Sequence, residues 1–162
     1  MGKIKMDNRD FVKLRNKLQA IKEQTPQFIE DLTNEAAGKL LAETKENTPV
    51  GKYSKIVNFT TKDGKEVSFK TSYKKRGGTL RKGWTVGEVK KENGAYKIEI
   101  INSVEYAIYV EYGHRKVNKE KEVIGWTDGK FMFTNAKKEM EKQLPKLINK
   151  KLTSFLKRGG LW

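Results

Sequence analysis

The hydrophobic period of this chain changes twice. From Phe11 to Leu41 apolar residues recur at helical spacing, from Lys55 they alternate with polar ones, and from Phe131 the helical spacing returns. Apolar side chains repeating about every 3.6 positions bury a stripe as helix, and those repeating every second position bury a face as strand. The pattern therefore predicts an α+β fold: an antiparallel β-sheet packed with a long N-terminal helix and a C-terminal helix, plus a projecting β-hairpin. At 162 residues the chain has the length of one domain and can bury a core without a metal or disulfide staple.

Local signals divide this frame. Asp7 is placed to cap a first helix with Phe11, Leu14, Leu18 and Ile21 facing a core. Thr25 then reads as the cap of a second helix, with Pro26 at its first position and Phe28, Ile29, Leu32, Ala36, Leu40 and Leu41 as its buried stripe. Pro49 and Gly51 stop that helix near Asn47. Gly38 inside it implies close packing, since an interior glycine costs about 1 kcal/mol relative to alanine.

Residues 55–80 read as a hairpin insertion turning at Lys62-Asp63-Gly64-Lys65, with a basic return loop "SYKKRGGTLRKG". A second strand pair, "GWTVGEVKK" and "AYKIEIINS", is joined at Asn93-Gly94, with Trp84, Val86, Val89, Ile98, Ile100 and Ile101 as its core. "SVEYAIYVEYG" matches a short helix capped by Ser103, packed through Ala107, Ile108 and Val110, and ended by Gly113. Residues 113–130 predict a long loop or irregular hairpin. A last helix from Phe131 contains Pro145, which should kink or divide it. Residues 157–162 form a C-terminal arm ending in Leu161 and Trp162.

The chemistry is sparse. There is no cysteine, which excludes disulfides, thiolate nucleophiles and Cys-based metal sites. His114 is the single histidine, so a His-rich metal site is impossible, and no G-x-S-x-G surrounds a serine. Beside a helix end and Arg115, His114 reads as a loop residue rather than the centre of a hydrolase or nuclease. The acids Glu105, Glu111, Asp63 and Asp128 have no spacing that brings a pair to one substrate, and they read as surface charge. "KKRGGTLRKG" lacks the spacing of a phosphate-cradling loop. No enzyme activity, cofactor or metal is expected. No apolar run has the length of a signal-peptide core or a membrane span, so the chain reads as soluble and made in a cytoplasm.

The charge is large: 35 Lys and Arg against 20 Asp and Glu, a net of +15. Two windows hold no acid: one contains Lys70, Lys74, Lys75, Arg76, Arg81 and Lys82, and the other runs from Lys142 to Arg158. Lys74, Lys75, Arg76, Arg81 and Lys82 are the DNA-facing candidates, and sequence-independent DNA binding is the alternative function. A lysine-rich solvated surface is the plainer account of either window. The tyrosines at 106, 109 and 112 repeat at helical spacing, which suits core or subunit contact better than stacking on bases.

The order "NTPVG", "GGTLRKGW", a strand pair, "INSVEYAIYVEYGHR" and "KFMFTNAKKEMEK" resembles a family of tailed-phage and prophage neck proteins, called head–tail joining, minor capsid or tail-completion proteins. The resemblance covers most of residues 25–145, and "SVEYAIYVEYGHR" followed by "FMF" is its most specific part. It implies a structural virion protein of the neck or head–tail connector, forming a ring, commonly a hexamer, between the portal adaptor and the tail terminator or tail tube. DNA passing through the lumen would make contact with it non-specific. The insertion between Gly51 and Leu80 departs from the family pattern. Such a role suits a chain with extended arms, and the interface candidates are Tyr106, Tyr109, Tyr112, His114, Arg115, Trp126, Phe131, Phe133 and Trp162.

Overall fold

The computed structural model describes residues 8–51, 56–70 and 77–161. Two helices bracket the chain: α1 (Arg9–Asn47) and α4 (Met132–Arg158). Between them lie the strands β1 (Ile56–Thr60) and β2 (Glu66–Lys70), the short helix α2 (Thr79–Lys82), and the strands β3 (Trp84–Val86), β4 (Lys90–Glu92), β5 (Ala95–Lys97) and β6 (Ile100–Asn102). The helix α3 (Ala107–Tyr112) and the strands β7 (Gly113–Val117) and β8 (Val123–Asp128) complete the order. The mixed α+β class is as expected, but the single sheet is not. The strands form four separate two-stranded ladders, β1–β2, β3–β6, β4–β5 and β7–β8.

The described residues group into two compact units, one of residues 8–40, 86–100 and 137–161, the other of residues 41–51, 56–70, 77–85 and 101–136. In the first, α1 and α4 run antiparallel. Ile21 lies against Gly159, Phe28 stacks on Phe155 with ring centroids 4.4 Å apart, and Glu35 pairs with Lys151. Ala37, Leu147 and Phe155 are buried there. The Lys151 ammonium, hydrogen-bonded to Glu35, holds that carboxyl below the ordinary carboxylate value, with Lys39 assisting and partial desolvation opposing.

Several local expectations are corrected in this unit. α1 is one helix rather than two, and it passes through Pro26. Proline withholds one backbone donor, while the Thr25 hydroxyl, far from capping a new helix, donates to the Ile21 carbonyl at 2.8 Å. Asp7, the expected first cap, lies outside the described residues. Phe11, Leu14 and Leu18 are exposed instead of core, since Lys17 and Ile21 already meet Gly160 and Gly159 at the far end of α4. Gly38 is exposed, with nothing near its missing side chain, so the close packing expected of it is absent. α4 is not divided at Pro145, and its Ile148 and Leu152 are exposed.

The second strand pair turns as expected. Asn93 and Gly94 both take positive φ, 51° and 78°, the left-handed pair that a two-residue hairpin turn requires. Its two ladders are separated by a break that Gly87 N–H to Glu99 C=O spans at 2.8 Å. Of its expected core only Trp84 is buried, while Val86 and Ile101 are exposed.

In the second unit, β1 and β2 pair from Ile56↔Lys70 to Thr60↔Glu66 about the expected turn. The register puts Val57, Phe59, Val67 and Phe69 on one face, with the two phenylalanine rings edge to face at 6.3 Å. A side chain on Gly77 would collide with the Gly51 carbonyl and with Val50, so the insertion leaves and returns at one point. Residues of the expected return loop, Thr79–Lys82, are helical.

Candidate interaction surface

The residues that set α3 in place come from three separated segments. Helices end with orphan carbonyls, and at the end of α1 these are met by side chains. Thr48 Oγ1 donates to the Thr44 carbonyl at 2.6 Å and accepts from Trp84 Nε1 at 2.9 Å. The Arg81 guanidinium donates to the Thr48 carbonyl through Nε at 3.2 Å and Nη2 at 2.7 Å. Thr44 and Thr48 are completely buried, and Leu80, Trp84, Met132 and Ala136 are the buried apolar residues of the same unit. Asn102 Nδ2 donates to the Leu80 carbonyl at 2.9 Å, and its Oδ1 accepts from Val104 N–H at 3.0 Å. Gly83 has no room for a side chain because Asn102 and Val104 occupy that space. "NTPVG", "LRKGW" and "INSV" thus meet in one polar knot.

That knot launches α3, whose N-cap position is Tyr106, with no side-chain cap; Ser103 does not take the expected role. α3 inverts the usual amphipathic order. Its buried residue is Glu111, at 5% exposure, whereas Tyr109 and Tyr112 are 57% and 58% exposed. Ile108, expected to pack, is also exposed. Glu111 is not surface charge: its carboxylate accepts from Phe133 N–H at 3.1 Å and from Thr134 N–H and Oγ1 at 2.9 and 2.8 Å. It caps the first turn of α4, where free N–H groups and the positive end of the dipole favour an anion. Backbone bonds from Lys130 N–H to Val110 C=O and from Phe131 N–H to Glu111 C=O tie the two elements further.

Beyond α3, of the two expected alternatives, a long loop or an irregular hairpin, the hairpin is present. β7 and β8 pair Gly113↔Asp128, His114↔Thr127 and Arg115↔Trp126, with a bulge after Lys116. Gly113 has φ 86°, and a side chain there would strike the Thr127 carbonyl. α3 and this hairpin wall a concavity of about 610 Å³. Tyr106, Tyr109, Val110, Val117 and Val123 supply its apolar surface, and His114, Arg115 and Lys121 its charged and polar groups. The His114 ring stands edge-on to Tyr109 at 6.1 Å. Trp126 and Phe131 are exposed as well, and Phe131 takes φ 49°, a strained backbone for a bulky residue.

The expected site residues therefore divide. Tyr106, Tyr109, Tyr112, His114, Arg115, Trp126 and Phe131 are exposed on α3, on the hairpin or just after it. Phe133 is half-buried and stacks on Trp84 at 6.0 Å, which makes it an intrachain contact. Trp162, Lys74, Lys75 and Arg76 lie outside the described residues. Arg81 and Lys82 are both exposed, and the Arg81 guanidinium donates to the Thr48 carbonyl. The structural role of Glu111 was missed from the sequence, where no spacing sets it apart from the acids around it.

A family model matches across the segments that supply Thr48, Arg81 and Trp84. Residues 12–113 fit the family described as "Bacteriophage HK97-gp10, putative tail-component". This chain belongs to the HK97-gp10-like family. The match takes in "NTPVG", "LRKGW" and "SVEYAIYVEYG" and ends at Gly113, the first residue of β7. No curated protein and no solved structure matches the chain. Among the described residues no group of His, Cys, Asp and Glu could hold a metal ion, and no helix is long and apolar enough to cross a membrane.

Proposed function

We propose that this chain is a structural subunit of the virion, built into the tail or neck of a phage or phage-tail-like particle, and that it acts by assembly rather than by catalysis. Membership of a family of tail components supports the setting. The observation that carries the reading is the aromatic surface of α3 and the β7–β8 hairpin. Tyr106, Tyr109, Tyr112 and Trp126 are held half-exposed by a scaffold that buries a carboxylate instead. Large exposed apolar patches mark protein–protein contact, and tyrosine and tryptophan are favoured anchors there.

In its finer form the proposal is a tail-completion or head–tail joining subunit. Copies form a ring, a hexamer by resemblance, between the portal adaptor and the tail terminator or tail tube, with the aromatic surface meeting neighbours. The exposed Lys146, Lys150, Lys157 and Arg158, in a stretch of α4 without an acid, would give such a ring non-specific contact with passing DNA. The test is complementation of a particle lacking this protein with Tyr109→Ser and Trp126→Ser variants. Folded variants that leave heads and tails unjoined, or tails incomplete, are the expected result. Normal particles carrying both variants would sink the proposed interface.

A further inference from the structure

We infer that the leading two turns of α1 are a docking site for an acidic amphipathic helix of another protein. Phe11, Leu14, Leu18, Ile21, Phe28 and Leu32 lie on one seven-residue repeat along α1. This seam already has a helical partner over part of its length, where Phe28 stacks on Phe155 and Ile21 lies against Gly159. The partner helix ends at Arg158, and the Gly160 carbonyl beyond it accepts from Lys17 at 3.0 Å. The seam continues past that point. Phe11 is 69% exposed, and Leu14 and Leu18 are about half exposed.

A stripe that packs a helix in its second half is shaped to pack one in its first. The occupant would lie antiparallel to α1 and extend the line of α4 by about 12 Å. Charge selects among such helices. The flanks of the exposed seam carry Arg15, Lys17 and Lys22, and the acid near it, Asp10, is paired with Lys13 at 3.2 Å. A second copy would bring the same cations on a chain of net charge +15, which opposes pairing of like segments. A helix with leucine-type residues on its seam and Glu or Asp beside them fits both the shape and the sign.

This inference rests on the reading of the chain as an assembling subunit, but it concerns a different surface, and its test is independent. A labelled peptide of about three heptads, with Leu on the seam and Glu on its flanks, is titrated with the full chain and followed by fluorescence anisotropy. The wild-type chain should bind it. The triple variant Phe11→Ser, Leu14→Ser, Leu18→Ser should bind at least about tenfold more weakly, and so should Arg15→Glu with Lys22→Glu. A peptide of the same composition with a scrambled seam should not bind. Equal binding of the scrambled peptide, or unchanged affinity of the triple variant, would reduce the effect to general charge attraction and overturn the inference. A wild-type mass that rises with concentration and falls to monomer in the triple variant would overturn it differently, by making a second copy the occupant. Failure of Trp126→Ser to disturb particle assembly would count against the proposed interface and leave the peptide result untouched.

Discussion

The Thr48–Arg81–Trp84 knot and the aromatic face of α3 are built from neighbouring stretches of the same family segments, yet they treat polar and apolar groups in opposite ways. The knot buries hydroxyls, a carbonyl and an indole N–H, and matches each with a partner. The α3 face buries a single carboxylate and leaves tyrosines in water. Buried polar groups are tolerated only when paired, so the knot is a folding device whose residues have little freedom. Exposed aromatics contribute nothing comparable to the isolated fold and gain their energy when a neighbour covers them. A shared sequence signature can therefore contain two kinds of residue, one that holds the scaffold and one that the scaffold displays.

Substitutions separate the two. Trp84→Ala removes a buried ring stacked on Phe133 together with the donor to Thr48, and should lower unfolding free energy by about 3–5 kcal/mol, read from urea denaturation. Thr48→Val keeps the shape but strands the Trp84 N–H, for an expected loss of about 1–3 kcal/mol in the same measurement. Glu111→Ala opens the first turn of α4, and about 1–3 kcal/mol is again expected. Hydrogen exchange at the Phe133 and Thr134 amides should rise in that variant before the rest of the helix responds. An Ala variant at Glu111 as stable as the parent would erase the distinction between α3's buried and displayed sides.

Smaller effects sharpen the contrast. The Glu35 carboxyl is held below its unfolded value by Lys151, so its contribution is present above the ordinary carboxylate range and lost as pH falls through the lowered value. Glu35→Gln should be slightly less stable than the parent at neutral pH, and the two should converge in acid, as thermal melts across pH would show. At the end of the scale, Tyr109→Ser and Trp126→Ser should alter stability by no more than about 0.5 kcal/mol while impairing particle assembly. If they unfolded the chain, the aromatic face would belong with the knot.

Some of this was legible from local chemistry. The turns at Asp63-Gly64 and Asn93-Gly94 are legible because Gly64, Asn93 and Gly94 take positive φ, a conformation that few other residues adopt. The apolar stripe of α1 beyond Ile21 also took its expected face. Pro26 was misleading because a proline's effect depends on whether the turns around it are held, and here they are packed on α4. Phe11, Leu14 and Leu18 misled in another way. Their spacing says that a partner is wanted, whereas its presence depends on where α4 stops.

The sequence by itself determined the α+β class, the helices at both ends, the hairpin turns and the family, because periodicity, turn residues and short motifs act within a few residues of chain. Only the tertiary structure decided that Glu111 caps a helix 22 residues away, that the Arg81 guanidinium reaches the Thr48 carbonyl, and that α3 displays its aromatics. Those outcomes depend on which donors and acceptors are left unmatched once distant segments meet. No local pattern records that.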